Sequence, residues 1–355
     1  MALRAAIAQL GRRRSQQVLW PACSSASAHS EAAPATLNPD VVSEAFSRAI
    51  TPEVAEHLAA KGYAVVDGIF GPALAASLRE EVVRLYEQGR MTKNHTHLVR
   101  DNATSLLEKA HVHEAELSLD SGIQAAAPLC TSLNQDLTLG TLLSLMLPQL
   151  TLDTQMIKLQ YNSGGGGCFP IHFDSDEQLD GRRVTAIFYL NPGWRPEHGG
   201  QLRLYPFPAP PLDLEPLNDR LVLFASTRMP HRVLPATGPP RCCFTIWLSQ
   251  TRRRAFVRRS PAPSDLEPPS DPDQDPAAAT RFLMHPAVRQ HVCKLVYDRE
   301  WEQSLVESHA PSPARDSVLE QHRRELDIIR RSLARFLPTV ERLQRGQLRA
   351  APEWF

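Results

Sequence analysis

The stretch GGGGCFPIHFDSDEQLDGRRVTAIFYLN, Gly164 to Asn191, sets a histidine two residues before an aspartate, between a glycine run and an alternating apolar segment. In an extended backbone, residues two apart point to the same face, about 6.5–7 Å from one another. His172 and Asp174 can therefore aim an imidazole and a carboxylate at one point. A second imidazole is available from His231, which opens HRVLP after the turn STRMP, late in the same β-rich region. Two histidines and one carboxylate that leave neighbouring coordination positions free form the facial triad of non-haem iron(II) oxygenases. The triplet alone is cheap: with 13 His in 355 residues, chance supplies about 0.7 H-x-D triplets. Its weight comes from context.

The free positions suit a chelating co-substrate and dioxygen. 2-Oxoglutarate would chelate iron through its keto acid end and leave a distal carboxylate that needs a cation in a dry interior. Arg241 lies ten residues after His231 at the head of RCCFTIWL, and a guanidinium can grip a carboxylate with two parallel hydrogen bonds. Period two puts Arg241, Cys243, Thr245 and Trp247 on one face of that segment, and Thr185, Ile187 and Tyr189 together along RVTAIFYLN. Tyr189, Thr185 and Tyr161 of KLQYN are candidate hydroxyl donors to the same carboxylate.

Other chemistry-bearing residues read more plainly. No G-K-[ST] follows Gly164 to Gly167, so the run is expected as a mobile loop over the site mouth and not as a phosphate cradle. His95/His97 and His111/His113 lack a third ligand and read as solvated loop histidines, and His198 as a turn residue. Asp176 and Asp180 compete with Asp174 for the carboxylate role, and Trp247 reads as core or as a pocket wall. The six cysteines show no C-x-x-C spacing, and Cys242 and Cys243 point to opposite faces of one strand, so reduced buried thiols are expected.

The elements that must position these groups fall in three parts. Between residues 38 and 150 apolar positions recur at helical spacing, with a break at Thr51–Pro52, a short β-branched run in GYAVVDGIF and a strong helix in ALAASLREEVVRLYEQGRM. Residues 91 to 118 are polar, histidine-rich and weakly periodic. From 151 to 250 come the short period-two segments TQMIKLQY, RVTAIFYLN, GQLRLYPF, RLVLFAS, HRVLPA and RCCFTIWLSQ, separated by turn residues. Such spacing predicts an antiparallel sandwich or small barrel. A Pro/Asp-rich linker is expected over 251–277, and an arginine-rich helical tail over 278–355 that caps the barrel or a partner.

The formal net charge is zero, which supplies no field for nucleic acid or an anionic membrane surface. No run of about 18 apolar residues spans a bilayer. Residues 1–30 contain four arginines and no acid, with a Ser/Ala-rich stretch, the composition of a mitochondrial or plastid transit peptide; the alternative is a basic tail on a protein of the cytoplasm or nucleus. Nothing in the sequence sets the oligomeric state.

From YNSGGGGCFPIHFD through AIFYLN, HGGQLRLYPF, LEPLNDRLVLFAS, MPHRVLPA and RCCFTIWL, the chain resembles the 2-oxoglutarate- and iron(II)-dependent prolyl hydroxylases, in particular the Egl-nine-like enzymes acting on hypoxia-inducible factor. The resemblance implies an α+β fold with a double-stranded β-helix (jelly-roll, cupin-like) core and supporting N-terminal helices. It implies iron on His172, Asp174 and His231, and 2-oxoglutarate on Arg241, Tyr189 and Tyr161. It further implies L-ascorbate as a reductant and a proline-containing protein as substrate, with succinate and CO2 as products. The loop after Asp174 and the spacing from His231 to Arg241 are slightly longer than the family pattern, and the helical tail falls outside it. Arg241, where collagen-type enzymes carry lysine, argues against a collagen-modifying role. The alternatives are the same chemistry on another substrate, or an inactive dioxygenase fold serving as a binding module.

Overall fold

The computed structural model describes residues 37–100, 103–175, 180–251 and 267–355, and no side chains between 97 and 106. The leader and most of the expected linker lie outside the described residues.

The N-terminal helices form where the sequence caps them. Pro39–Ala49 (α1) and Pro52–Lys61 (α2) each start at a proline, behind Asn38 and Thr51 whose side chains accept from Asp40 N and Val54 N. Gly62, at φ 78°, ends α2 in the left-handed conformation that an L side chain resists. Tyr63–Asp67 (β1) and Pro72–Glu87 (α3) follow.

Residues 91–118 depart from the sequence expectation. They form a hairpin, Thr92–Arg100 (β2) and Ala103–Glu116 (β3). A register shift between Lys93 and His95 and a positive φ at His111 break the alternation that would have announced two strands. The short helices Ser121–Ala126 (α4), Pro128–Gln135 (α5) and Thr138–Met146 (α6) complete the N-terminal layer.

The six predicted strands are all present: Thr154–Asn162 (β4), Arg182–Tyr189 (β6), Leu202–Leu204 (β7), Arg220–Ala225 (β9), His231–Ala236 (β10) and Arg241–Ser249 (β11). Two more, Gly167–His172 (β5) and Leu212–Leu214 (β8), were too short or too Gly/Pro-marked to show a period. Eight strands divide between two antiparallel sheets as in a jelly roll: β9-β6-β11-β4 lie in one, extended by β1 at one end and β3-β2 at the other, and β5-β10-β7-β8 form the second. The fold is α+β with a jelly-roll core.

Period two sorts each strand between two apolar layers. On the outer face of the large sheet, Ile157, Leu159, Ala186, Phe188, Leu221, Leu223, Phe244 and Ile246 meet the N-terminal helices. On the inner face, Ile187, Tyr189, Val222, Phe224 and Cys243 meet Phe169, Leu202, Leu204 and Val233 of the small sheet.

Beyond the linker come Pro276–Met284 (α7), Pro286–Val296 (α8), Asp298–Ser308 (α9), Pro313–Ser332 (α10) and Leu337–Gln344 (α11). α7, α8, α10 and α11 share one apolar cluster around Phe282, Val292, Ile329 and Phe336. A second cluster joins Trp301, Leu305 and Leu319 to Ile171 and Tyr205, so the tail covers the outer face of the small sheet. No helix among the described residues is long and apolar enough to cross a membrane.

Phe188 stands between Phe70 and Phe244, at centroid distances of 5.2 and 5.1 Å, and is 1% exposed. Phe188→Ala is expected to lose about 3–5 kcal/mol of stability, read as a lowered urea midpoint at unchanged slope.

Candidate active site

His172 ends β5 and His231 opens β10, and the antiparallel register sets the two directly opposite each other. That register contains a bulge: Val233 faces Phe169, so β5 carries one extra residue before His172. Pro170 sits in it, where a missing N–H costs no ladder bond. The bulge turns His172 to the inner face alongside Phe169.

Backbone carbonyls set both imidazoles. His172 Nδ1 lies 2.8 Å from Pro170 O, and His231 Nδ1 lies 3.2 Å from Met229 O. A carbonyl only accepts, so each Nδ1 carries the proton and each Nε2 presents its lone pair. Both point at one atom: His172 Nε2 and His231 Nε2 stand 3.5 and 3.6 Å from Asp174 Oδ1. Burial, reinforced by His172, pushes the His231 pKa down to about 4 against the pull of Asp174, so its imidazole is neutral at physiological pH.

The other carboxylate oxygen is held from behind. Thr185 Oγ1 donates to Asp174 Oδ2 at 2.6 Å and lies 2.8 Å from Ser226 Oγ, while Trp247 Nε1 donates to the same Oδ2 at 3.3 Å. Burial opposes the charge on Asp174, but at the acid pH where its carboxyl would titrate, protonated His231 and His172 together with the Thr185 hydroxyl outweigh it and hold the carboxyl well below its ordinary range. Arg182 stacks on Trp247 at 3.9 Å and donates to Asp174 O at 3.3 Å, closing the loop start over the site.

Among the described residues, His172, Asp174 and His231 are the group of three whose ligand atoms lie within 4.8 Å of one another. Two imidazole nitrogens and one carboxylate oxygen, each oriented by a second group, suit a first-row divalent cation with positions left over.

At the other end of the same inner face lies Arg241, 5% exposed. Its Nε donates to Gly200 O at 2.8 Å and its Nη1 lies 3.4 Å from Cys243 Sγ. Among the described residues the groups that act on its charge are Cys243, Tyr189 and Cys242, and no carboxylate is among them. A buried guanidinium without a protein anion asks for one from a ligand. The Tyr189 hydroxyl is beside it, buried and without a hydrogen-bond partner, with the guanidinium 5.1 Å from its ring. Burial raises its pKa, so the hydroxyl stays protonated and able to donate. Gly200, at φ 78°, makes the cleft: a Cβ there would stand 2.8 Å from Arg241 Cδ.

Three sequence expectations are corrected. Tyr161 does not reach this face. Opposite Cys242 in the β4–β11 register, it points to the helix layer and stacks on Tyr86 at 3.8 Å. Thr185 serves Asp174 and not the Arg241 end. The glycine run is not over the site mouth: Gly164, Gly165 and Gly166, all at positive φ, form the turn into β5 at its end remote from His172. There a Cβ on Gly167 would meet Asn162 Oδ1 at 2.3 Å. Asp180 pairs with Arg182 and Ser175; Asp176 lies outside the described residues. His113 packs on Tyr86, and His198 bonds to Arg195 N in its turn. The five described cysteines are free and buried.

Sequence reasoning missed the supporting roles of Trp247, Ser226 and Gly200. Trp247 shares the inner face with Arg241 and was within reach of the period-two argument; Ser226 and Gly200 carry no local signal.

Thr185→Val removes the shortest bond to Asp174 at nearly constant volume. Mn(II) affinity is expected to fall about 10–100-fold, measured by titration against free Mn(II), with the denaturation midpoint little changed.

Comparison with known proteins agrees with this geometry. The 2OG-Fe(II) oxygenase superfamily profile matches residues 157–249. The hypoxia-inducible factor prolyl hydroxylase of Caenorhabditis elegans is 36% identical over 120 residues, 33% of this chain and 16% of that one. The human prolyl hydroxylase EGLN3 is 38% identical over 102 residues, 27% of this chain and 41% of that one. The match thus spans less than half the length of either curated relative. A solved prolyl 4-hydroxylase from Phytophthora capsici superimposes with a TM-score of 0.68 at 28% identity, covering 88% of this chain and 96% of that one. That coverage exceeds what the residues before α7 could supply, so the likeness extends into the helical tail. With its jelly roll, its His-x-Asp…His group and its buried arginine on one interior face, the chain is similar over residues 157–249 to the 2OG-Fe(II) oxygenase superfamily and, over most of its length, to a solved prolyl 4-hydroxylase.

Proposed function

We propose that the chain is a 2-oxoglutarate- and iron(II)-dependent dioxygenase that hydroxylates prolyl residues of a protein substrate. The observation that carries the reading is one interior face holding both a three-ligand cation group and, at its far end, a buried arginine with no carboxylate beside it among the described residues. The prolyl substrate rests on the likeness to prolyl hydroxylases.

His172, Asp174 and His231 would hold iron(II), and Arg241 with Tyr189 would hold the distal carboxylate of 2-oxoglutarate. Iron and 2-oxoglutarate, once bound, supply the oxidative decarboxylation that gives succinate and CO2 and places one oxygen atom on the substrate. The chain does the rest. Pro170 O and Met229 O keep both Nε2 atoms deprotonated. Thr185 and Trp247 keep Asp174 ionised and aimed through a single oxygen. Phe169, Ile187, Val222 and Phe224 line the interior between the two ends and keep it dry. L-Ascorbate as reductant and an organellar location follow from the resemblance and from the composition of residues 1–30 respectively, and belong to the same proposal.

The test is turnover of peptide pools with iron(II) and 2-oxoglutarate. Succinate release together with a one-oxygen mass gain on proline is expected, with both lost in His172→Ala and in pools lacking proline. Succinate release with equal turnover of the proline-free pools would keep the dioxygenase and reject the prolyl substrate. No succinate under any condition would leave only a binding module. Arg241→Lys keeps the charge but loses the two-pronged grip; the KM for 2-oxoglutarate is expected to rise about 10–100-fold, while Mn(II) affinity stays as in the parent.

A further inference from the structure

We propose that helix α9 of the tail is the outer support of the two histidine-bearing strands, so that cation binding at His172, Asp174 and His231 and docking of α9 strengthen each other. The proposal rests on the metal-centre reading above and adds to it the positioning residues Ser304, Glu300 and Glu307.

The argument begins with the neighbours of the ligands in sequence. Ile171 precedes His172 and Arg232 follows His231; where the histidines face inward, these two face outward onto α9. Ile171 lies in the bulge of β5, and its N–H donates to Ser304 Oγ at 3.0 Å. Ser304 is wholly buried. One turn further on, Ser308 Oγ lies 3.4 Å from Cys168 Sγ of the same strand. The bulge that aims His172 at the centre is thus held from outside by a hydroxyl of the tail.

Arg232 makes the same point for His231. It is 2% exposed, and its cross-strand partner on β7 is another arginine, Arg203. Like charges directly opposite each other in a sheet repel. α9 places acid between them: Glu300 Oε1 lies 2.7 Å from Arg203 Nη1 and 3.9 Å from Arg232 Nη1, and Glu307 pairs with Arg232 Nη2. Tyr205 Oη also donates to Glu300 at 2.7 Å, and Asp213 takes the free side of Arg203. Without α9, Arg232 would keep a like-charged neighbour and lose both of its carboxylates.

A cation that draws Nε2 of His172 and His231 toward Asp174 Oδ1 fixes the pairing of β5 with β10 from the inside. Docking of α9 fixes the same pairing from the outside. Two events that favour one arrangement of the same strands are coupled, and the coupling runs equally in both directions.

The experiment uses the full chain, stripped of metal by a chelator, with Mn(II) alone as probe. In the parent, saturating Mn(II) is expected to slow amide hydrogen exchange over residues 298–308 at least several-fold, although none of them touches the centre. His231→Ala should abolish that slowing. Ser304→Ala and Glu307→Gln should each raise the Mn(II) dissociation constant about 10-fold, with Ser304→Thr recovering most of the loss. Arg323→Ala, which breaks an exposed pair with Glu302 inside the tail, should bind Mn(II) as the parent does. The proposal is overturned if the parent binds Mn(II) with no change in exchange over α9, or if the folded Ser304 and Glu307 variants bind it unchanged. A parent that binds no Mn(II) at all would refute the metal-centre reading itself, and the coupling with it.

Discussion

The constraint on which the site depends is the register of β5 against β10. It sets His172 opposite His231, and one extra residue in β5 decides which face His172 takes. Shift that pairing by one position and an imidazole is exchanged for Ile171 or Arg232, because side chains alternate with period two. Everything else serves this placement. The large sheet brings Thr185 and Trp247 up to the shared carboxylate, and the carbonyls of Pro170 and Met229 set the tautomers.

The chain spends buried charge in two different ways. At the metal end, Asp174 is buried among groups that favour its ionised form, and the site is pre-organised for a cation. At the far end, Arg241 is buried and, among the described residues, meets a backbone carbonyl, a thiol and a phenol. An isolated buried cation is costly unless something completes it. Complementary incompleteness at the two ends of one cleft is what a molecule with a chelating head and an anionic tail would satisfy.

How much of this the sequence discloses follows from where period two survives. β4, β6, β9, β10 and β11 alternate, so their inner and outer faces and the inward side of Arg241 were legible, while His172 and Asp174 were read only from their spacing of two. The same argument could not tell Tyr161 from Tyr189: Tyr161 pairs with Cys242, whose side chain faces the helices, whereas Tyr189 pairs with Cys243 on the inner face. Pairing register is long-range information, and local spacing does not contain it. The hairpin at 92–116 was hidden by a bulge and a left-handed histidine, and β5 by its glycine and proline. Thr185 has the residue type expected of a co-substrate donor, yet the carboxylate eleven positions earlier in the chain claims its hydroxyl. The break in periodicity after residue 250 looks like the edge of a unit. The carboxylates that neutralise Arg232 nevertheless come from beyond it.

The unequal burial of the two imidazoles carries a consequence for traffic. His231 is 4% exposed at its side chain and His172 is 35% exposed, so of the two imidazoles it is His172 that meets solvent. Arg241 is sealed at the opposite end of the interior. On the function proposed above, the side of the centre marked by His172 is the one that both an anion for Arg241 and a polypeptide would meet first.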